Sequence, residues 1–151
     1  MNTGVARQNA TVTAKKTTEA ERNLDQKTLE NLSTAMHGEA FAYVKYSLYA
    51  EHARKGGNRE LADLFDKTAR TERLEHFAEE AQLAGLVGSD RDNLKDAIEG
   101  ESYEIDTMYL DFAHKAKVAG DTATAARFEE IRHDEMSHRD AFKAALAKLG
   151  P

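Results

Sequence analysis

The chain has 151 residues, 32% of them charged and 40% hydrophobic, which is long enough for one domain with a core but more polar than the usual soluble protein. Its 21 basic and 27 acidic residues leave a net charge of −6, a poor footing for nucleic-acid binding. The absence of cysteine excludes a disulfide framework, a thiol nucleophile, a thiolate zinc site and an iron–sulfur cluster. No apolar run approaches the roughly 20 residues of a membrane span, and no secretory segment follows Met1. A cytoplasmic protein with no membrane and no nucleic-acid partner is expected.

Residues 1–24 are rich in Thr, Asn, Ala and charge without a sustained apolar period, and are expected to form a flexible tail. Residues 25–151 are expected to form one domain. From residue 27 a helical stripe runs Leu29, Leu32, Met36, Glu39, Tyr43, Tyr46, Ala50, Ala53, spaced alternately three and four apart. Gly56 and Gly57 end it. A second stripe runs Leu61, Phe65, Thr68, Glu72, Glu75 and fades after Leu83, before the breaker segment 85–90. A third runs Leu94, Ala97, Glu101, Glu104, Met108, Phe112, Ala116, up to Gly120. The fourth runs Ala125, Phe128, Ile131, Glu135, His138, Phe142, Ala145, Leu149. Proline occurs only at Pro151, so no helix is interrupted in its interior. Four long helices with short connections predict an all-α four-helix bundle.

The chain also repeats itself. Asn31, Leu32, Ala35, Gly38 and Glu39 recur 62 residues later as Asn93, Leu94, Ala97, Gly100 and Glu101. Farther along the offset is 63, pairing Tyr49, Ala50, Ala53 and Gly57 with Phe112, Ala113, Ala116 and Gly120, and Phe65 and Glu72 with Phe128 and Glu135. The bundle is therefore two repeated helix pairs. The change of offset puts one extra residue in the third helix between Glu101 and Phe112, which predicts a π-bulge there.

Glu39, Glu72, Glu75, Glu101, Glu104, Glu135 and His138 all fall on stripes that should face the core. Glutamate is rarely buried unless paired, and these stripe positions carry no lysine or arginine in mid-helix. A metal cluster is the simplest source of compensating positive charge. Residues three apart on a helix point the same way, so Glu72 with Glu75, Glu101 with Glu104, and Glu135 with His138 form three ligand pairs beside the single Glu39. That is the pattern of di-iron and di-manganese carboxylate bundles. Oxygen-rich ligation with one or two imidazoles suits iron or manganese better than zinc or copper. His37, His52, His114 and His133 lie off the stripes and read as surface residues.

Gly38-Glu39, the run Thr68-Ala69-Arg70-Thr71-Glu72, Gly100-Glu101-x-x-Glu104, Met108-Tyr109 and Glu135-x-x-His138 together resemble the rubrerythrin family over about residues 27–149. The resemblance implies a ferritin-like di-iron protein that reduces hydrogen peroxide to water in oxidative-stress defence. It implies two iron ions per chain, with Glu72 and Glu135 bridging, Glu39 and Glu104 on one iron, and Glu101 and His138 on the other. It also implies that Tyr46 and Tyr109 serve the reaction, since the family has tyrosines at similar places. Full-length rubrerythrins carry a four-cysteine rubredoxin domain, and these residues contain none. Electrons are therefore expected from a separate donor such as a rubredoxin or ferredoxin. A homodimer is expected by default. A ferroxidase or iron-storage role is the alternative, with Glu104 speaking against it because ferritin sites are poorer in carboxylates.

On the second helix the family has Glu-x-x-His. Here Glu75 stands at that spacing and His76 one residue later. The constant offset of 63 pairs Glu75 with His138, and a helix offers no slack for one residue without a bulge, so Glu75 is the expected ligand. Asp134, an acid of the kind that supports an imidazole on the second helix, favours His76 instead.

Overall fold

The computed structural model describes residues 24–150. The flexible tail expected over 1–24 lies outside the described residues except for Leu24. The described residues are helical apart from short connections. None of the helices is long and apolar enough to cross a membrane. The chain divides into two compact units, one ending at Val87 and the other beginning at Gly88.

In the first unit, α1 spans Gln26–Lys55 and packs along α2, Arg59–Thr71. A π-helical segment, Glu72–Phe77, continues α2 into α3, Ala78–Ala84. Asp25 starts α1 by accepting from the Thr28 N–H at 2.9 Å, and Asn58 starts α2 by accepting from Leu61 at 3.1 Å. Gly85 ends α3 in the left-handed region, φ 63°, and lets the Leu86 N–H return to the Ala81 carbonyl at 2.9 Å. The buried positions are Met36, Ala50, Ala53, Ala62, Ala69 and Ala81. Alanines at the contact let the two backbones approach closely.

In the second unit, α4 spans Asp90–Tyr103, and a second π-helical segment, Glu104–Met108, leads into α5, Tyr109–Ala119. The π-bulge expected between Glu101 and Phe112 is therefore present. Gly120, at φ 86°, turns the chain into α6, Thr122–Lys148, which packs against α4 and α5. Ile105, Ala113 and Ala125 are buried.

The repeat is visible in the packing. Tyr46, Tyr49 and Phe65 form an aromatic cluster with ring centroids 5.4–6.3 Å apart. Their counterparts 63 residues on, Tyr109, Phe112 and Phe128, form another at 5.7–6.4 Å. Each cluster lies about two helical turns from the acidic positions of its own helix pair.

Candidate metal centre

Each unit assembles one cluster of two glutamates and one histidine. In the first, the His76 Nδ1 lies 2.8 Å from a Glu72 carboxylate oxygen and 3.8 Å from one of Glu39. In the second, the His138 Nδ1 lies 2.7 Å from Glu135 and 3.8 Å from Glu101. Within each cluster the candidate ligand atoms lie within 4.8 Å of one another. The two helix pairs thus build nearly the same arrangement from repeat-related residues.

This geometry brings His76, not Glu75, to Glu39 and Glu72, contrary to the expectation drawn from the repeat. The reason is the π-helical segment over Glu72–Phe77. Its wider turn takes up one residue, so His76, four places after Glu72, occupies the direction that His138 takes three places after Glu135. His76 and His138 stand 62 residues apart, against 63 for Glu72 and Glu135. Glu75 instead lines a shallow surface hollow with Asp66, Lys67 and Arg70. The sequence carried a signal for this in the Glu-His pair at 75–76, but matches such as Ala78 with Ala141 keep the offset at 63 past the bulge and so leave it unmarked.

The other site residues fall as follows. Burial, then the neighbouring Glu72, holds the Glu39 carboxyl above its ordinary value, with His76 opposing. Burial, then Glu135, does the same to Glu101, with His138 opposing. Glu104 is raised by burial, then by the charge of Glu135, with His138 opposing; it opens the π-helical segment three residues after Glu101. Tyr109 is raised by burial and by the negative charge of Glu104, Glu135 and Glu101, so its hydroxyl keeps its proton among these carboxylates. Tyr46 sits in its aromatic cluster beneath the Lys45 ammonium, 5.1 Å from the ring centroid.

Two acidic side chains gathered about one imidazole call for a cation. One Glu101 carboxylate oxygen is buried with no hydrogen-bond partner. The other oxygen of Glu101 lies 3.8 Å from the His138 imidazole, and a carboxylate with one oxygen beside an imidazole and one buried without a partner fits a hard, oxygen-preferring divalent ion such as ferrous iron.

The chain is similar to known proteins in sequence and in structure. Residues 30–76 and 72–146 match the family model described as Rubrerythrin. A rubrerythrin of Porphyromonas gingivalis is 34% identical over 149 residues, spanning 89% of this chain and 74% of that protein. A putative rubrerythrin of Methanocaldococcus jannaschii is 30% identical, spanning 82% of this chain and 71% of that protein. A structure of fully reduced, all-ferrous nigerythrin covers 99% of this chain and 82% of its own, at 30% identity and a TM-score of 0.43.

Proposed function

The chain belongs to the rubrerythrin family, and from that premise we propose that it is a non-haem di-iron peroxidase that reduces hydrogen peroxide to water. Two iron ions per chain are held by Glu39, Glu72, His76, Glu101, Glu104, Glu135 and His138. Each peroxide takes two electrons and two protons to give two waters. The electrons come from a separate donor protein such as a rubredoxin or ferredoxin. The protein works in the cytoplasm and as a homodimer, the latter supported by large apolar side chains left exposed in both units, among them Phe41, Leu48 and Leu110.

The observation that carries this reading is the near identity of the two clusters, each with an imidazole 2.7–2.8 Å from one carboxylate and 3.8 Å from another. Bound iron would supply one-electron redox change at each ion. The protein's own groups set the stage. His76 and His138 offer ring nitrogens beside carboxylates, and Glu104 gives the second cluster an added acidic oxygen. The Tyr109 hydroxyl, whose proton is held by burial and by the charge of Glu104, Glu135 and Glu101, is a hydrogen-bond donor that can orient a carboxylate.

Anaerobic reconstitution with ferrous ion, followed by turnover with a reducing donor and either peroxide or dioxygen, tests the proposal. Peroxide is expected to be consumed at least tenfold faster. Faster consumption of dioxygen with accumulation of ferric mineral would replace the peroxidase by a ferroxidase.

A further inference from the structure

Three features of the second unit have no equivalent in the first. One is the extra residue taken up by the π-helical segment Glu104–Met108, where α1 runs unbroken through the matching stretch. Another is Glu104, whose repeat positions are Phe41 and Ala42. The third is Arg132, which stands where the first unit has Ala69, 63 residues earlier. The segment and Arg132 meet at a single carbonyl, that of Ile105, one residue after Glu104.

In an unbroken α-helix the Tyr109 N–H would donate to the carbonyl four residues back, that of Ile105. It donates instead to Glu104, five residues back. The Ile105 carbonyl loses its regular donor. Ile105 is only 1% exposed, so water is a poor substitute. The Arg132 Nε, reaching across from α6, donates to that carbonyl at 2.6 Å. Its guanidinium is steadied from the other side by Glu129, 3.5 Å away on the same helix.

We infer that Arg132 is a positioning residue that locks the second π-helical segment and thereby fixes Glu104 beside Glu135 at the metal centre. The inference rests on the reading of Glu104 as a metal ligand. A π-bulge is a surplus residue with no fixed address: shifting it by one position turns the side chains it passes by about 100°. Satisfying the one carbonyl freed when the bulge sits at 104–108 selects that address over its neighbours. Glu104 opens the segment and Tyr109 follows it, so the address decides where both point. The first unit has no glutamate to fix at the corresponding place on α1 and has alanine opposite.

The test uses the whole chain, as Arg132→Gln and Arg132→Lys. Glutamine removes the charge and the reach, whereas lysine keeps a cationic donor with poorer geometry. The first measurement is amide hydrogen exchange of the metal-free protein over residues 104–110, with residues 26–55 as internal reference. Arg132→Gln is expected to speed exchange about tenfold at 104–110 only, and Arg132→Lys to recover most of the loss. The second is anaerobic ferrous titration. One of the two ions is expected to bind about tenfold more weakly in Arg132→Gln, with recovery in Arg132→Lys. Unchanged exchange at 104–110, or equal acceleration in all helices, would overturn the lock. Faster exchange with both ions held as in the parent would overturn its link to Glu104. A parent chain that takes up no iron would sink the di-iron reading itself, while the exchange measurement would still decide whether Arg132 holds the segment.

Discussion

Glu75 and His76 are neighbours in the chain, but about 100° separates adjacent side chains on a helix, so only one of them can serve Glu39 and Glu72. The structure gives that place to His76, 2.8 Å from Glu72. His76→Gln is therefore expected to cost one of the two ferrous ions, and Glu75→Gln to leave both, as elemental analysis after anaerobic loading would show. The reverse result would restore the carboxylate ligand that the bare repeat suggests. The two tyrosines also differ. The charges of Glu104, Glu135 and Glu101 bear on Tyr109, whereas Tyr46 packs against Tyr49 and Phe65. Loss of a group that orients ligands typically costs 10–100-fold. Tyr109→Phe is expected to lower peroxide turnover by about tenfold and Tyr46→Phe by less than about threefold. Equal effects would mean that both hydroxyls act alike.

At the level of the helices, the ends are set by local chemistry that can be tested one residue at a time. Gly120 sits at φ 86° and lets the Asp121 N–H return to the Ala116 carbonyl at 2.9 Å. A side chain there meets the left-handed penalty of about 1–2 kcal/mol. Gly120→Ala is expected to lower the melting temperature by roughly 2–8 °C, at about 2–4 °C per kcal/mol for a chain of this size. A melt unchanged within a degree would show that the turn tolerates a Cβ. The stops were legible in the sequence, because Gly57, the breaker segment 85–90 and Gly120 announce them; the starts at Asp25, Asn58 and Ser89 came with the structure. The stripes were legible too, and with them Glu39, Glu72, Glu101, Glu135 and His138. The bulge in the third helix was readable because it changes the repeat offset between two well-matched stretches. The one in the second helix was not. Beyond Glu75 the halves go on matching at an offset of 63, as at Ala78 with Ala141, Ala81 with Ala144 and Leu83 with Leu146, so the surplus residue was hidden and His76 with it. The brace from Arg132 to Ile105 was also invisible, since a side chain that satisfies a carbonyl 27 residues away follows no period.

For the molecule as a whole, two repeated helix pairs gather carboxylates in a chain that already carries a charge of −6. The consequence is a stability that depends on pH in opposite senses with and without metal. Glu39, Glu101 and Glu104 all have their affinity for protons raised above the ordinary value of 4.5, in each case first by burial. In the metal-free protein, the folded state therefore binds more protons than the unfolded state between 4.5 and the raised values. The stability these groups contribute is fully present below 4.5 and is lost as pH rises through the raised folded values. Bound cations reverse the sign. They take the place of those protons, so protons compete with them, and metal affinity falls as pH falls through the same window. Binding to the folded state alone adds stability that grows with ligand concentration over its dissociation constant. The melting temperature of the metal-free protein is thus expected to fall as pH rises from 4.5 toward neutrality, and that of the ferrous-loaded protein, kept anaerobic, to rise. The two curves should diverge most at neutral pH. Glu104→Gln should flatten both, because it removes one of the groups that exchanges a proton for the metal. Parallel slopes with and without iron would mean that the raised carboxylates and the metal ligands are different residues.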